Sequence, residues 1–171
     1  MLVVKIGGNV KKLKIYIDTS VISVLDRTSR PDWTADTLVL WEDIKAGLYE
    51  VFISPVVVGE IMDSAESKQA VLFNYLNEIP FTELEEIDEV NILAQKYLDA
   101  GILQPKSHDD CLHIAYACVY NCDILVSFNF KHMVNYKTIS GVKGVNAMAG
   151  YKEMPIYTPT MLISGGTEDD T

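Results

Sequence analysis

Short apolar runs that stop at a polar residue alternate with longer amphipathic stretches along this chain. Ile15-Tyr16-Ile17 stops at Asp18, Tyr49-Glu50-Val51-Phe52-Ile53 at Ser54, and Ile124-Leu125-Val126 at Ser127. Short runs rich in β-branched and aromatic residues read as buried strands. Between them, Asp32 to Lys45 carries Leu38, Trp41 and Ile44 at helical spacing and halts at Gly47. Ser54-Pro55 is a helix start, with Ser as cap and Pro in the first turn. Further helices are predicted to about Ser64, over Ser67–Asn77, over Asp88–Ala100 before Gly101, and over Ser107–Tyr120. Pro80 to Leu84 reads as a further strand, Lys137-Thr138-Ile139 as another, and Pro155 to Pro159 as an extended end. Strands alternating with helices imply a parallel sheet covered on both faces, an α/β fold of three layers.

Such sheets build their sites beyond the carboxyl ends of the strands. Four polar residues fall there or in the first turns of the next helix: Asp18, Glu60, Asp110 and Asn129. An acid beside apolar residues is costly to keep ionised unless something positive offsets it. Acids far apart in sequence but at similar structural positions point to one shared cation.

Each residue also has a plainer role. Asp18 caps a short helix in one reading, and Glu60 sits exposed in another, although Val56, Val57 and Val58 make its helix apolar on several faces. Ser107-x-x-Asp110 resembles a capping box. Asn129 suits a turn. His113 follows Asp110 by three and shares its helix face, as a partner of the acid or as a satisfied core group.

Charge distribution matters more than its sum of −10. Residues 78–89 and the tail after Gly166 hold nine of the 24 acids. That concentration argues against a general nucleic-acid coat but leaves room for a local basic strip. Lys131, His132, Lys137, Lys143 and Lys152 form such a stretch. Cys111, Cys118 and Cys122 show no C-x-x-C spacing and read as small buried hydrophobes. The 49% hydrophobic content fills a core, and no run is long enough for a membrane span or a signal core. A soluble, cytoplasmic protein is expected. Its expected divisions are an extension over residues 1–12, a domain over 13–163 and a flexible acidic tail over 164–171.

At these residues the chain resembles the PIN-domain family, over about Lys14 to Pro159. Ile15-Tyr16-Ile17-Asp18-Thr19-Ser20 is similar to the family's opening strand and first acid. Glu60 after Ser54-Pro55-Val56-Val57-Val58-Gly59 is similar to the second acid, and Asp110-Cys111-Leu112-His113-Ile114-Ala115 to the third. Ile124 to His132 matches the fourth position, where Asp is commonest and this chain has Asn129. The resemblance implies a three-layer α/β/α fold and ribonuclease activity dependent on Mg²⁺ or Mn²⁺. Asp18, Glu60, Asp110 and Asn129 would then be the catalytic and metal-binding set. Thr19, Ser20 and Asp109 would support it, and Lys131 would contact RNA phosphate. Hard cations take oxygen ligands, activate water and offset phosphate charge. Many small members are VapC-type toxins restrained by an antitoxin, and many are homodimers. Asn129 supplies no negative charge, which weakens the case for a second metal.

Three other functions stay open. One is an inactive PIN-like scaffold binding RNA or protein. Another is a phosphatase with an aspartyl nucleophile, although Ser20 stands where its second Asp is expected. The third is a metal-free ribonuclease using His113 and His132.

Overall fold

A computed structural model describes residues 5–6 and 9–164. The acidic tail from residue 165 onward lies outside the described residues. Among the described residues seven strands run in the order β1 (Lys5–Ile6), β2 (Asn9–Val10), β3 (Leu13–Ile17), β4 (Tyr49–Ile53), β5 (Thr82–Glu83), β6 (Ile124–Val126) and β7 (Ile156–Tyr157). The helices are α1 (Thr19–Ser23), α2 (Pro31–Lys45), α3 (Pro55–Met62), α4 (Glu66–Asn77), α5 (Asp88–Asp99), α6 (His108–Val119), α7 (Tyr136–Ala149) and α8 (Pro159–Ser164).

Five strands form one parallel sheet in the order β5-β4-β3-β6-β7. Helices flank it, which makes the three-layer α/β/α architecture. β1 and β2 pair antiparallel as a separate backbone hairpin within the expected N-terminal extension. β3 lies at the centre, with Ile15 opposite Val51 on one side and Ile124 on the other. A strand bonded on both edges and covered on both faces is apolar along its covered part. Accordingly Ile15, Tyr16 and Ile17 are fully buried.

The core continues into the helices through Trp41, Ile44, Ile61, Leu72, Tyr97 and Tyr116. Trp41 is large enough to need a partner for its indole N–H, and it donates to the Tyr75 carbonyl at 3.0 Å. Cys111, Cys118 and Cys122 are buried among these residues, and burial pushes the Cys111 and Cys122 thiols up to about 12. They pack as neutral thiols. Among the described residues no helix is long and apolar enough to cross a membrane.

One sequence expectation is corrected and one is sharpened. Lys137-Thr138-Ile139 is not a strand but the first turn of α7. Asn135 caps that helix by accepting from Thr138 N–H at 3.0 Å, and Gly150 ends it at φ 82°. Capping at both ends outweighs the β preference of Thr and Ile. The extended end at Pro155 is sheet as well: β7 pairs with β6, placing Ile156 opposite Leu125.

Candidate active site

The carboxyl ends of β3, β4 and β6 share one edge of the sheet. Asp18 leaves β3 and becomes the N-cap of α1. Its Oδ1 accepts from the Ser20 and Val21 N–H groups at 3.0 and 3.3 Å. Its Oδ2 accepts from the Ser127 hydroxyl at 2.6 Å, which ties β3 to the end of β6. Ser20 Oγ also donates to Asp18 and in turn accepts from Phe128 N–H at 2.8 Å. Capping and site membership are thus the same geometry for this residue.

Glu60 projects from the second turn of α3. Its Oε2 accepts from the Thr19 hydroxyl and lies 3.1 Å from His113 Nε2. His113 Nδ1 is 2.7 Å from the Tyr16 hydroxyl, which is 2.6 Å from Ser54 Oγ. A buried polar relay therefore runs beneath Glu60. Ser54 is the N-cap residue of α3 and Pro55 opens the helix, as the sequence reading has it, but the Ser54 hydroxyl is spent in the relay and makes no cap bond.

Asp110 stands in the first turn of α6. The capping box is absent, because Ser107 makes no side-chain cap bond. Asp110 Oδ1 instead accepts from Asn129 Nδ2 at 2.8 Å, and Oδ2 pairs with His132 Nδ1 at 2.8 Å. Long-range partners on the β6–α7 connection have won over the local one. Asn129 Oδ1 accepts from His132 N–H at 3.0 Å, which fixes which way the amide faces. In this arrangement Asn129 holds Asp110 and turns its N–H towards it, leaving no open oxygen on that side.

Asp18, Thr19, Ser20, Glu60, Asp110 and Asn129 all line one open cavity of ≈430 Å³. His113 and Arg27 share its wall. Two expected residues lie elsewhere. Asp109 is exposed, 3.9 Å from His108 Nδ1, and Lys131 lines a neighbouring hollow. Sequence reading set His113 between a partner of Asp110 and a core group; it is a satisfied core group, 2% exposed, but its acid partner is Glu60 rather than Asp110. The same reading gave Ser127 and Arg27 no place in the site, and it read His132 as part of a basic stretch or a histidine pair rather than as the partner of Asp110. Ser127 carried the only available signal, as the polar residue that stops a strand.

Electrostatics separate the three acids. Burial pushes the Asp18 carboxyl above the usual carboxylate range, against the charge of His113 and the hydroxyls of Ser127 and Ser20. Burial likewise raises Asp110, although His132 and His113 pull it down. Repulsion from Glu60 adds the smallest push in both. Burial acts to raise Glu60 too, but the hydrogen bond and charge of His113, with Thr19, hold it below its ordinary value. For His113, burial is outweighed by Glu60, Asp18 and Asp110, and the imidazole is raised. The site can thus keep a carboxylate–imidazolium pair while two further acids stand at the cavity wall.

The family model for the PIN domain matches residues 15–135. No curated protein matches the chain. Among solved structures, VapBC2 from Rickettsia felis, bound to a DNA fragment from its promoter, is similar at 17% identity and a TM-score of 0.53. That likeness covers 85% of this chain and 98% of the other. PAE2754 from Pyrobaculum aerophilum is similar at 15% identity and a TM-score of 0.49, over 91% of each chain. At these identities the likeness is one of fold.

Proposed function

This chain belongs to the PIN domain family, a family of nucleases, and from that premise we propose that it is an endoribonuclease dependent on Mg²⁺ or Mn²⁺. One observation carries the reading: Asp18, Glu60 and Asp110, from three separate elements, face one cavity. We assign the activity to residues 13–163, with residues 1–12 as an appendage and 164–171 as a tail.

The donor set fits a hard cation, because Asp18, Glu60 and Asp110 offer carboxylate oxygens, while the Asn129 amide is engaged with Asp110 and His132. Among the described residues no three acidic, His or Cys side chains stand close enough to chelate one ion directly. The fit is therefore to a cation that keeps several of its waters, as Mg²⁺ commonly does. When bound it would supply water activation and charge offset on the scissile phosphate. The chain's own groups do the rest. Ser20 and Ser127 aim Asp18, Thr19 and His113 aim Glu60, and Asn129 and His132 aim Asp110. Glu60 Oε1 has no hydrogen-bond partner among the described residues and is the freest oxygen of the set. Arg27 at the cavity wall offers positive charge to an incoming phosphodiester.

The scaffold alternative draws on one feature, the full occupation of Asp110 by Asn129 and His132. A Mn²⁺ titration of RNA cleavage, wild type beside Asn129→Asp, decides between them. The nuclease reading expects cleavage with Mn²⁺ and none in EDTA. It also expects a lower Mn²⁺ requirement for Asn129→Asp, which exchanges an N–H facing Asp110 for a second charge. Absence of cleavage by both folded proteins at saturating Mn²⁺ would sink it.

We extend the proposal to a toxin held by an antitoxin and to a homodimer. Support comes from the family resemblance and from the fold shared with VapBC2. A search for a small reading frame beside the coding sequence, followed by co-expression of any such product and cleavage assays of the complex, tests the first. Light scattering tests the second.

A further inference from the structure

Beside the acid cavity lies a second hollow of ≈280 Å³. Lys106, Lys131, Lys137 and His132 line it, and its wall contains no Asp or Glu. That runs against the composition, since the chain has 24 acids for 14 Lys and Arg. The three lysines make no ion pair with any described carboxylate, whereas Lys45, Lys143 and Lys152 each do. Like charges gathered around one hollow repel each other and attract an anion.

Two helix starts reinforce the field. Ser107 precedes α6, Asn135 precedes α7, and both line the hollow. The positive ends of a 12-residue and a 14-residue helix thus meet there. His132 joins the two cavities. It lines this one, and its Nδ1 lies 2.8 Å from Asp110 Oδ2 on the wall of the other.

We propose that this hollow is a phosphate subsite for a polynucleotide backbone, holding a phosphodiester next to the one at the acid cavity. The identity of the occupant rests on the nuclease reading above. His132 lines this hollow and touches Asp110 on the wall of the other, so the two lie near enough for one strand to reach both. Three flexible ammonium groups suit a phosphate as point charges and read no base. The subsite therefore fixes where the strand lies without selecting its sequence.

The test measures binding in EDTA, where cleavage plays no part. A labelled single-stranded RNA is titrated against wild type, Lys106→Gln/Lys131→Gln/Lys137→Gln, and a Lys45→Gln control. Lys45 ends α2 just before β4 begins, at the opposite edge of the sheet. The triple variant is expected to bind about tenfold more weakly, with its log–log salt slope reduced by roughly 0.7, the value for one single-strand phosphate. Lys45→Gln should match wild type. Equal binding and equal slopes for wild type and the triple variant, with circular dichroism showing both folded, would overturn the subsite. Inorganic phosphate added as competitor separates the sources. Competition only at millimolar phosphate supports a backbone phosphate. Tight phosphate binding that RNA does not displace would overturn the polynucleotide assignment. Failure of wild type to cleave in Mn²⁺ would count against the nuclease and leave the binding result standing.

Discussion

The two ends of α6 carry two buried polar clusters of opposite design. At its start, Asp110 and His113 join Asp18 and Glu60 in a charged group that faces an open cavity. Near its end, Cys118 joins Tyr97 and Asn146 in a neutral group closed off from solvent. The Tyr97 hydroxyl donates to Asn146 Oδ1 at 2.6 Å, and Asn146 Nδ2 reaches the Lys152 carbonyl at 3.1 Å. Burial drives the Tyr97 phenol and the Cys118 thiol upward, so both stay protonated. The closed cluster uses its polarity to pin α5, α6 and α7 together. The open one keeps charge at a cavity wall, where charge contributes little to packing. Buried charge is retained against its desolvation cost when something outside the fold is to meet it.

The largest expected effect breaks the open cluster. Asp18→Asn should lower RNA cleavage in Mn²⁺ by roughly a thousandfold or more while the fold persists, read by gel assay and circular dichroism. It should also change the pH dependence of stability in EDTA. The folded Asp18 carboxyl has a raised pKa, so the native state binds the proton more tightly than the unfolded state. Ionisation therefore costs stability progressively, from about pH 4, the ordinary Asp value, up through the raised folded value. The variant lacks that cost. Its melting temperature relative to wild type should climb across this window and then level off. A flat difference from pH 4 to 8 would contradict the burial argument.

A smaller effect breaks the closed cluster. Asn146→Ala leaves the Tyr97 hydroxyl only the weak Cys118 sulfur as acceptor and removes the donor to the Lys152 carbonyl. It should cost about 2 kcal/mol, a fall in Tm of roughly 4–8 °C for a chain of this size. Cleavage per folded molecule should not change. Lost activity at full folding would mean that the two ends of α6 are coupled rather than separate.

The sequence carried these two clusters unequally. Asp18, Glu60 and Asp110 were legible because each sits where a strand or helix begins or ends, and local pattern marks such places. Thr19, Ser20 and Asn129 were expected beside them, but two further holders were not. Ser127 reaches Asp18 across 109 positions, and His132 reaches Asp110 across a connection whose path no periodicity reveals. The Tyr97–Asn146 pair was equally hidden, since an Asn in a helix reads as exposed until its neighbours are known. The parallel sheet and its three layers followed from the strand–helix alternation, whereas the strand order β5-β4-β3-β6-β7 did not. The α7 error came from reading Thr138-Ile139 by β preference, while Asn135 and Gly150 already bracketed a helix.

The smallest effect sharpens the comparison at the start of α6. Ser107→Ala should change stability by no more than about 0.5 kcal/mol, because no cap bond is lost. A loss near 1 kcal/mol in urea melts would restore the capping box.

The register that sets Ile15 beside Ile124 has a consequence in time. A ribosome releases β3 early, but its neighbour β6 emerges more than a hundred residues later. Contacts so distant in the chain form late, because a long loop must close first. Until β6 docks, Asp18 lacks Ser127, and Asp110 lacks both Asn129 and His132. The half-made chain therefore carries the acids without their geometry. A protein able to cut RNA would be harmless to the message and the ribosome still producing it.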